Sequence, residues 1–220
     1  MITESKRITK HFHSTEFKCK CGCGKIYIEE KLVNRLETLF AKLNASKCII
    51  SSGYRCKKHD KAVGGSGTGQ HTKGKAADCV YYDKNGKIIP SKIVVCVAND
   101  SKLFNGMAKI DKNYSHLDIR TLGKYRGDET KGFNSYWTDP YDYFNVTKED
   151  VAKYTGEVIK VYKVITNCTW LNLRTSAKYG DNIYKAVKKG TKVEYLGEEN
   201  GWAKIKYDSR ILYCGKNYLK

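Results

Sequence analysis

The stretch Ser51–Val80, SSGYRCKKHDKAVGGSGTGQHTKGKAADCV, decides how the first part of the chain must fold. It holds Arg55, a glycine-rich connection (Gly64, Gly65, Gly67, Gly69), and then His71, Gly74 and Asp78. Seven residues along a straight helix would part the His71 and Asp78 backbones by ~10 Å. Bonds to a zinc ion are only about 2 Å long. If the two side chains share an ion, the chain must turn between them, and Gly74 with the small Ala76 and Ala77 allows it. Ala76–Tyr81 then reads as a strand. A third donor has to come from elsewhere, and His116, in the cluster His116-Leu117-Asp118-Ile119-Arg120, is the best candidate. A histidine, an aspartate and a distant histidine form the set used by catalytic zinc, which keeps one coordination position for water. His11, His13 and His59 lie in basic, polar surroundings and read as solvated.

Working outward, Leu32, Val33, Leu36, Leu39, Phe40 and Leu43 recur mostly at three- and four-residue steps, which predicts an amphipathic helix over Glu29–Leu43 covering a sheet. Cys48–Ile50 reads as a short buried strand. Asn85-Gly86 marks a turn. Pro90 suits the first turn of a helix over Ser91–Asn99, and 104–110 and 115–120 read as two short strands. Helices and strands without βαβ regularity point to an α+β domain. From 125 to 145 the chain is aromatic and irregular. Residues 146–158 form a charged connection, and the division expected is 1–150, a linker at 151–159, and 160–220.

Beyond 160 the texture changes. Val161–Ile165, Leu171–Arg174, Tyr184–Val187, Lys192–Leu196, Trp202–Tyr207 and Ile211–Cys214 are β-rich runs, several of them separated by glycines. Sixty-odd residues of short strands imply a small barrel or sandwich.

The chain has 220 residues and a formal net charge of +18. Both parts are basic, with thirteen basic against six acidic residues from 157 onward and 28 against 17 before it. Such a field attracts polyanions: nucleic acid, anionic membrane or an acidic cell wall. No arginine-rich helix or aromatic RNA-binding signature accompanies it, so no specific nucleic-acid partner is expected. The nine cysteines are an odd number, which argues for reduced thiols. Three alternate at Cys19, Cys21 and Cys23. A structural zinc site normally draws on two close pairs, and with no second pair in sight these thiols read as small apolar fillers of a glycine-kinked loop, with metal binding as the alternative. No apolar leader or membrane-length run is evident, so synthesis in the bacterial cytoplasm is expected.

SGYR at 52–55, Gly64-Gly65, QHxxGxAAD at 70–78 and HLDIR at 116–120 resemble the zinc peptidases of the D-Ala-D-Ala carboxypeptidase family, whose fold is shared by phage L-alanyl-D-glutamate endopeptidases and the hedgehog signalling domain. EFKCKCGCG at 16–24 also looks like this group. The resemblance spans most of residues 8–125. It implies that His71, Asp78 and His116 bind zinc and that Arg55 holds a substrate carboxylate or stabilises the oxyanion. Many relatives place an acid three residues before the second histidine, where this chain has Asn113. Asp118 is then the expected general base, with a second-shell role or a salt bridge to Arg120 or Arg55 as alternatives and Asp111 in reserve. Residues 160–220, through LNLR at 171–174, Lys189-Gly190-Thr191, Asn200-Gly201-Trp202 and Asn217-Tyr218-Leu219, resemble the bacterial SH3 domains of wall-lytic enzymes.

Together these resemblances imply an α+β zinc peptidase domain followed by a small all-β SH3-like barrel. The function implied is that of a phage or prophage endolysin, monomeric and released to act on the wall. Its partners would be the peptidoglycan stem peptide and a Gram-positive wall polymer, and its cut L-Ala–D-Glu. A D-Ala-D-Ala carboxypeptidase and a wall-binding protein without turnover are the alternatives.

Overall fold

A computed structural model describes residues 1–132, 135–157 and 159–220. The chain separates into two compact units, Met1–Glu157 and Val158–Lys220.

In the first unit the elements run α1 (Glu30–Lys42), β1 (Lys47–Ser52), α2 (Lys57–Ala62), β2 (Ala76–Tyr82), β3 (Ile88–Ile89), α3 (Ser91–Ser101), β4 (Gly106–Lys109), β5 (Ser115–Asp118), β6 (Tyr125–Asp128), α4 (Pro140–Phe144) and α5 (Lys148–Thr155). The main sheet has the order β1-β2-β5-β4-β6, with β3 also on β2. All neighbours are antiparallel except β4 and β6. The apolar stripe of α1 is buried at Leu32, Val33, Leu36, Leu39 and Phe40. It shares one core with Cys79 and Tyr81 of β2 and with α3, whose residues 93–98 are all buried. Burial of such side chains, worth ~1.5–3 kcal/mol each, is what fixes the sheet's far face and leaves the near face to carry polar groups.

Several expectations need correcting. The stretch after Arg55 contains a helix that the sequence reading did not foresee, α2, whose N-cap is Cys56. Pro90 precedes α3 as its N-cap instead of entering the first turn. The irregular aromatic stretch opens with β6, and Trp137 is buried in the core with its indole N–H on the Gly127 carbonyl at 3.1 Å. The charged connection is largely α5, started by a capping box in which Thr147 and Asp150 satisfy each other's backbone N–H groups. Val151 of α5 joins the first core, so residues 151–155 are helix and not linker; position 158 of that expected linker lies outside the described residues.

The second unit consists of six strands, β7 (Val161–Val164), β8 (Trp170–Arg174), β9 (Ile183–Lys188), β10 (Lys192–Glu199), β11 (Trp202–Tyr207) and β12 (Arg210–Gly215). They form one antiparallel sheet in the order β7-β10-β11-β12-β8-β9, as an SH3-like domain requires. Alternate residues point inward: Leu171 and Leu173, Ala203 and Ile205, Leu212 and Cys214 enclose a separate small core with Ile165, Val187 and Val193.

Candidate metal centre

The near face of the first sheet brings the predicted donors together. Asp78 of β2 and His116 of β5 stand directly opposite each other in the antiparallel ladder. His71 opens a short 3-10 turn, His71–Lys73, which is closed by Gly74 at φ 66° with its N–H on the His71 carbonyl. This left-handed residue supplies the reversal that the spacing required.

Asp78 Oδ1 lies 2.9 Å from His116 Nδ1 and 3.2 Å from His71 Nε2, and the two ring nitrogens are 3.2 Å apart. A tetrahedral ion with bonds of about 2.0 Å has ligand–ligand edges of about 3.3 Å. The triangle is therefore close to one face of such a tetrahedron. Hydrogen bonding also orients the rings. His71 Nδ1 lies 2.8 Å from the Gly53 carbonyl, which can only accept, so Nδ1 carries the proton and Nε2 turns its lone pair to the centre. His116 Nε2 is 3.1 Å from Asp118 Oδ2, which leaves Nδ1 facing inward.

The charge balance points the same way. Burial by itself would raise the Asp78 carboxyl, yet His71 and His116 hold it well below the usual carboxylate range. Burial would lower His116, but Asp118 and Asp78 on its two nitrogens raise it to about 10. The pocket thus asks for a positive charge where the three donors meet, which a bound cation supplies in place of a proton. His71, Asp78 and His116 form a group able to hold a metal ion.

Asp118 stands beside His116 on the same side of β5. It is fully buried, and its oxygens accept from His116 Nε2 and from the backbone N–H, Nε and Nη2 of Arg120. It therefore lies on the far side of the imidazole from Asp78 and His71. This is the carboxylate–histidine support that fixes a ligand's tautomer and orientation, and it matches the second-shell role and the Arg120 salt bridge that stood as alternatives to a general base. Room for it comes from Gly106, opposite in β4, where a methyl group would overlap the Asp118 carboxylate. Asp111, the reserve candidate, spends Oδ1 on the backbone N–H groups of Asn113 and Tyr114.

Arg55 is engaged with its neighbours. Its Nε donates to Ser52 Oγ at 2.7 Å and its Nη2 to Asp78 Oδ2 at 2.5 Å, while Nη1 is 3.7 Å from Asp60. The guanidinium holds the donor carboxylate and also lines the cleft on which the donors open.

The donors open into a cleft of about 440 Å³. Among the described residues its lining has three carboxylates: Asp60, Asp78 and Glu129. Asp60 is buried and accepts the Gly67 N–H at 2.9 Å, so it shapes the glycine loop. Glu129 is half-buried and, among the described residues, meets only the Tyr125 hydroxyl, at 3.2 Å. Burial and the charge of Glu129 push the Tyr125 phenol up, which keeps it a proton donor. The sequence reading missed Asp60, Tyr125 and Glu129. The first was hidden in a lysine-rich run, and the others follow a turn that nothing in the ligand pattern reaches.

The remaining histidines have partners. His11 pairs with Glu37 at 2.6 Å and stacks on Phe40. His13 caps the 3-10 turn Ser14–Phe17. His59 lies 3.3 Å from Cys19 Sγ. The filler reading of the alternating cysteines holds for Cys19, which is buried, and fails for Cys21 and Cys23, which are exposed.

Residues 10–118 match the family model described as Peptidase M15, and residues 170–220 match that described as bacterial SH3 domain. The first match spans all three donors and ends at Asp118; Tyr125 and Glu129 lie beyond it. No curated protein matches the chain.

Proposed function

From a chain that carries an M15 peptidase domain at its N-terminus and a bacterial SH3 domain at its C-terminus, we propose a zinc-dependent peptidoglycan peptidase that cuts the L-Ala–D-Glu bond of the stem peptide, acting as an endolysin. The observation that carries the reading is the His71–Asp78–His116 triangle, with edges of 2.9–3.2 Å, opening on a 440 Å³ cleft. Zinc bound there would supply a Lewis acid for the scissile carbonyl and a water of lowered pKa. Arg55 keeps Asp78 in place, and Asp118 keeps His116 in place from behind. Glu129, the cleft carboxylate with the fewest bonds among the described residues, takes the proton from the attacking water and passes it to the leaving amine. Tyr125 and Arg120 offer hydrogen-bond donors on the same wall.

The second unit supports a wall-directed role. A cleft of about 450 Å³ runs past Asn167, Tyr179, Trp202, Lys216, Asn217 and Tyr218. Tyr179 is 83% exposed, with its ring 4.8 Å edge-on from Trp202. Aromatic faces beside amide and ammonium donors suit an acidic, sugar-containing polymer. The first unit supplies hydrolysis and the second supplies retention on the wall. No helix among the described residues is long and apolar enough to cross a membrane. All nine cysteines are free, which fits synthesis in a reducing compartment before release.

The test is digestion of purified Gram-positive walls by the full chain, with and without chelator, followed by mass spectrometry of the muropeptides. Chelator-sensitive appearance of free L-Ala carboxyl and D-Glu amino ends supports the proposal. Loss of terminal D-Ala alone would assign a carboxypeptidase. Wall binding without new amino groups would leave a binding protein and end the enzymatic reading.

A further inference from the structure

Cys19, Cys21, Cys23 and Cys56 form a second donor cluster, with all four sulfurs within 4.8 Å of one another. Cys19 and Cys21 Sγ are 3.4 Å apart, and Cys21 and Cys56 Sγ 3.7 Å. A disulfide needs about 2.05 Å, and all four thiols are free. A tetrahedral zinc with Zn–S bonds of about 2.3 Å has S–S edges of about 3.8 Å. The cluster is at that spacing.

We infer that Cys19, Cys21, Cys23 and Cys56 bind a second, structural zinc ion as four thiolates.

The local backbone is built for convergence. Gly22 at φ 84° and Gly24 at φ 74° fold three alternating cysteines into one tight loop, which the Cys19 N–H to Lys25 carbonyl bond closes at 2.9 Å. In an extended strand Cys19, Cys21 and Cys23 would point to one side but about 7 Å apart. The fourth ligand arrives from the start of α2, 35 residues after Cys21. Two backbone N–H groups already point at sulfur: Cys56 N–H at Cys19 Sγ (3.3 Å) and His59 N–H at Cys56 Sγ (3.4 Å). His59 Nδ1, 3.3 Å from Cys19 Sγ, adds a third nitrogen. Such donors favour thiolate over thiol. On binding, each thiol gives its proton to solvent, so a Zn(Cys)4 site carries two negative charges. Lys18, Lys20, Lys25, Lys57 and Lys58 flank the ligands in sequence and offset them.

All four positions are filled by protein, with none left for water, which is the construction of a structural site. Its consequence for the fold is specific. Cys56 follows Arg55 directly, so the ion would tie the leader loop to the segment that supports Asp78. The inference does not rest on the peptidase reading.

The decisive experiment uses the full-length His71→Ala/His116→Ala chain, in which the histidine centre is lost and the thiols are intact. Purified from zinc-containing medium, it is expected to keep one zinc per chain by elemental analysis, with an all-sulfur shell at about 2.3 Å in X-ray absorption. Cobalt substituted for that zinc should give intense sulfur-to-metal charge transfer, abolished by adding Cys56→Ser. A double-histidine variant without bound metal, or with a shell of nitrogen and oxygen only, would overturn the inference. If that variant does not fold, absorption on the unmodified chain decides: a mixed sulfur and nitrogen/oxygen shell supports the second site, and a shell without sulfur refutes it.

Discussion

Among the described residues the first unit holds two groups of metal-ligating side chains, and they are built in opposite ways. The histidine–aspartate group comes from a 3-10 turn and two sheet strands, is buried at its base, and opens on a cleft. Each of its ligands is held by a partner: His71 by the Gly53 carbonyl, His116 by Asp118, Asp78 by Arg55. The cysteine group comes from a glycine loop and a helix start, has two exposed members, and leaves no coordination position free. An ion with an open position and rigid supports can do chemistry; an ion surrounded by four thiolates can only fasten. Rigidity is thus spent on the geometry of the open site, and at the closed one the metal itself supplies it.

The contrast can be broken most severely by His71→Ala. Wall hydrolysis is expected to fall to background while the thiolate-bound zinc remains; a variant that keeps turnover with only that zinc would place the chemistry at the wrong cluster. Glu129→Gln should lower kcat by ~10²–10⁴-fold, the usual worth of a general base, with zinc affinity unchanged. Asp118→Asn separates support from catalysis. A supporting carboxylate predicts a ~10–100-fold loss of zinc affinity, read by competition with a chromophoric chelator, whereas a kcat collapse at full metal occupancy would restore Asp118 as the base. The smallest effect is expected from Gly106→Ala. Crowding the Asp118 carboxylate should cost about 1–3 kcal/mol of stability in denaturant titration, and an unchanged midpoint would show that the pocket behind His116 is looser than its packing indicates.

Legibility from sequence followed the range of the interactions concerned. The stripe Leu32–Leu43 and the six β-rich runs after 160 correspond to α1 and to β7–β12, because periodic burial on one face is a local property of the chain. His71, Asp78 and His116 could be singled out because donor residue types and a required turn both show in the sequence. Helix α2 could not, since KKHDKA has no apolar face and is held by Cys56 and Asp60. Nor could Cys56 be recognised as a partner of Cys21, 35 residues away, because only the path through β1 into α2 brings them together.

The amino-acid order by itself determined the two-unit plan, the elements whose hydrophobic period is regular, and the donor types available for a metal. Only the tertiary structure decided what each polar group faces. Asp118 sits on the same side of β5 as His116, as a two-residue step demands, but one step further along, where Arg120 and the gap left by Gly106 draw its carboxylate beneath the imidazole. Strand periodicity sets a side of the sheet; the direction of a carboxylate on that side is set by the charges and the space that neighbouring strands bring to it.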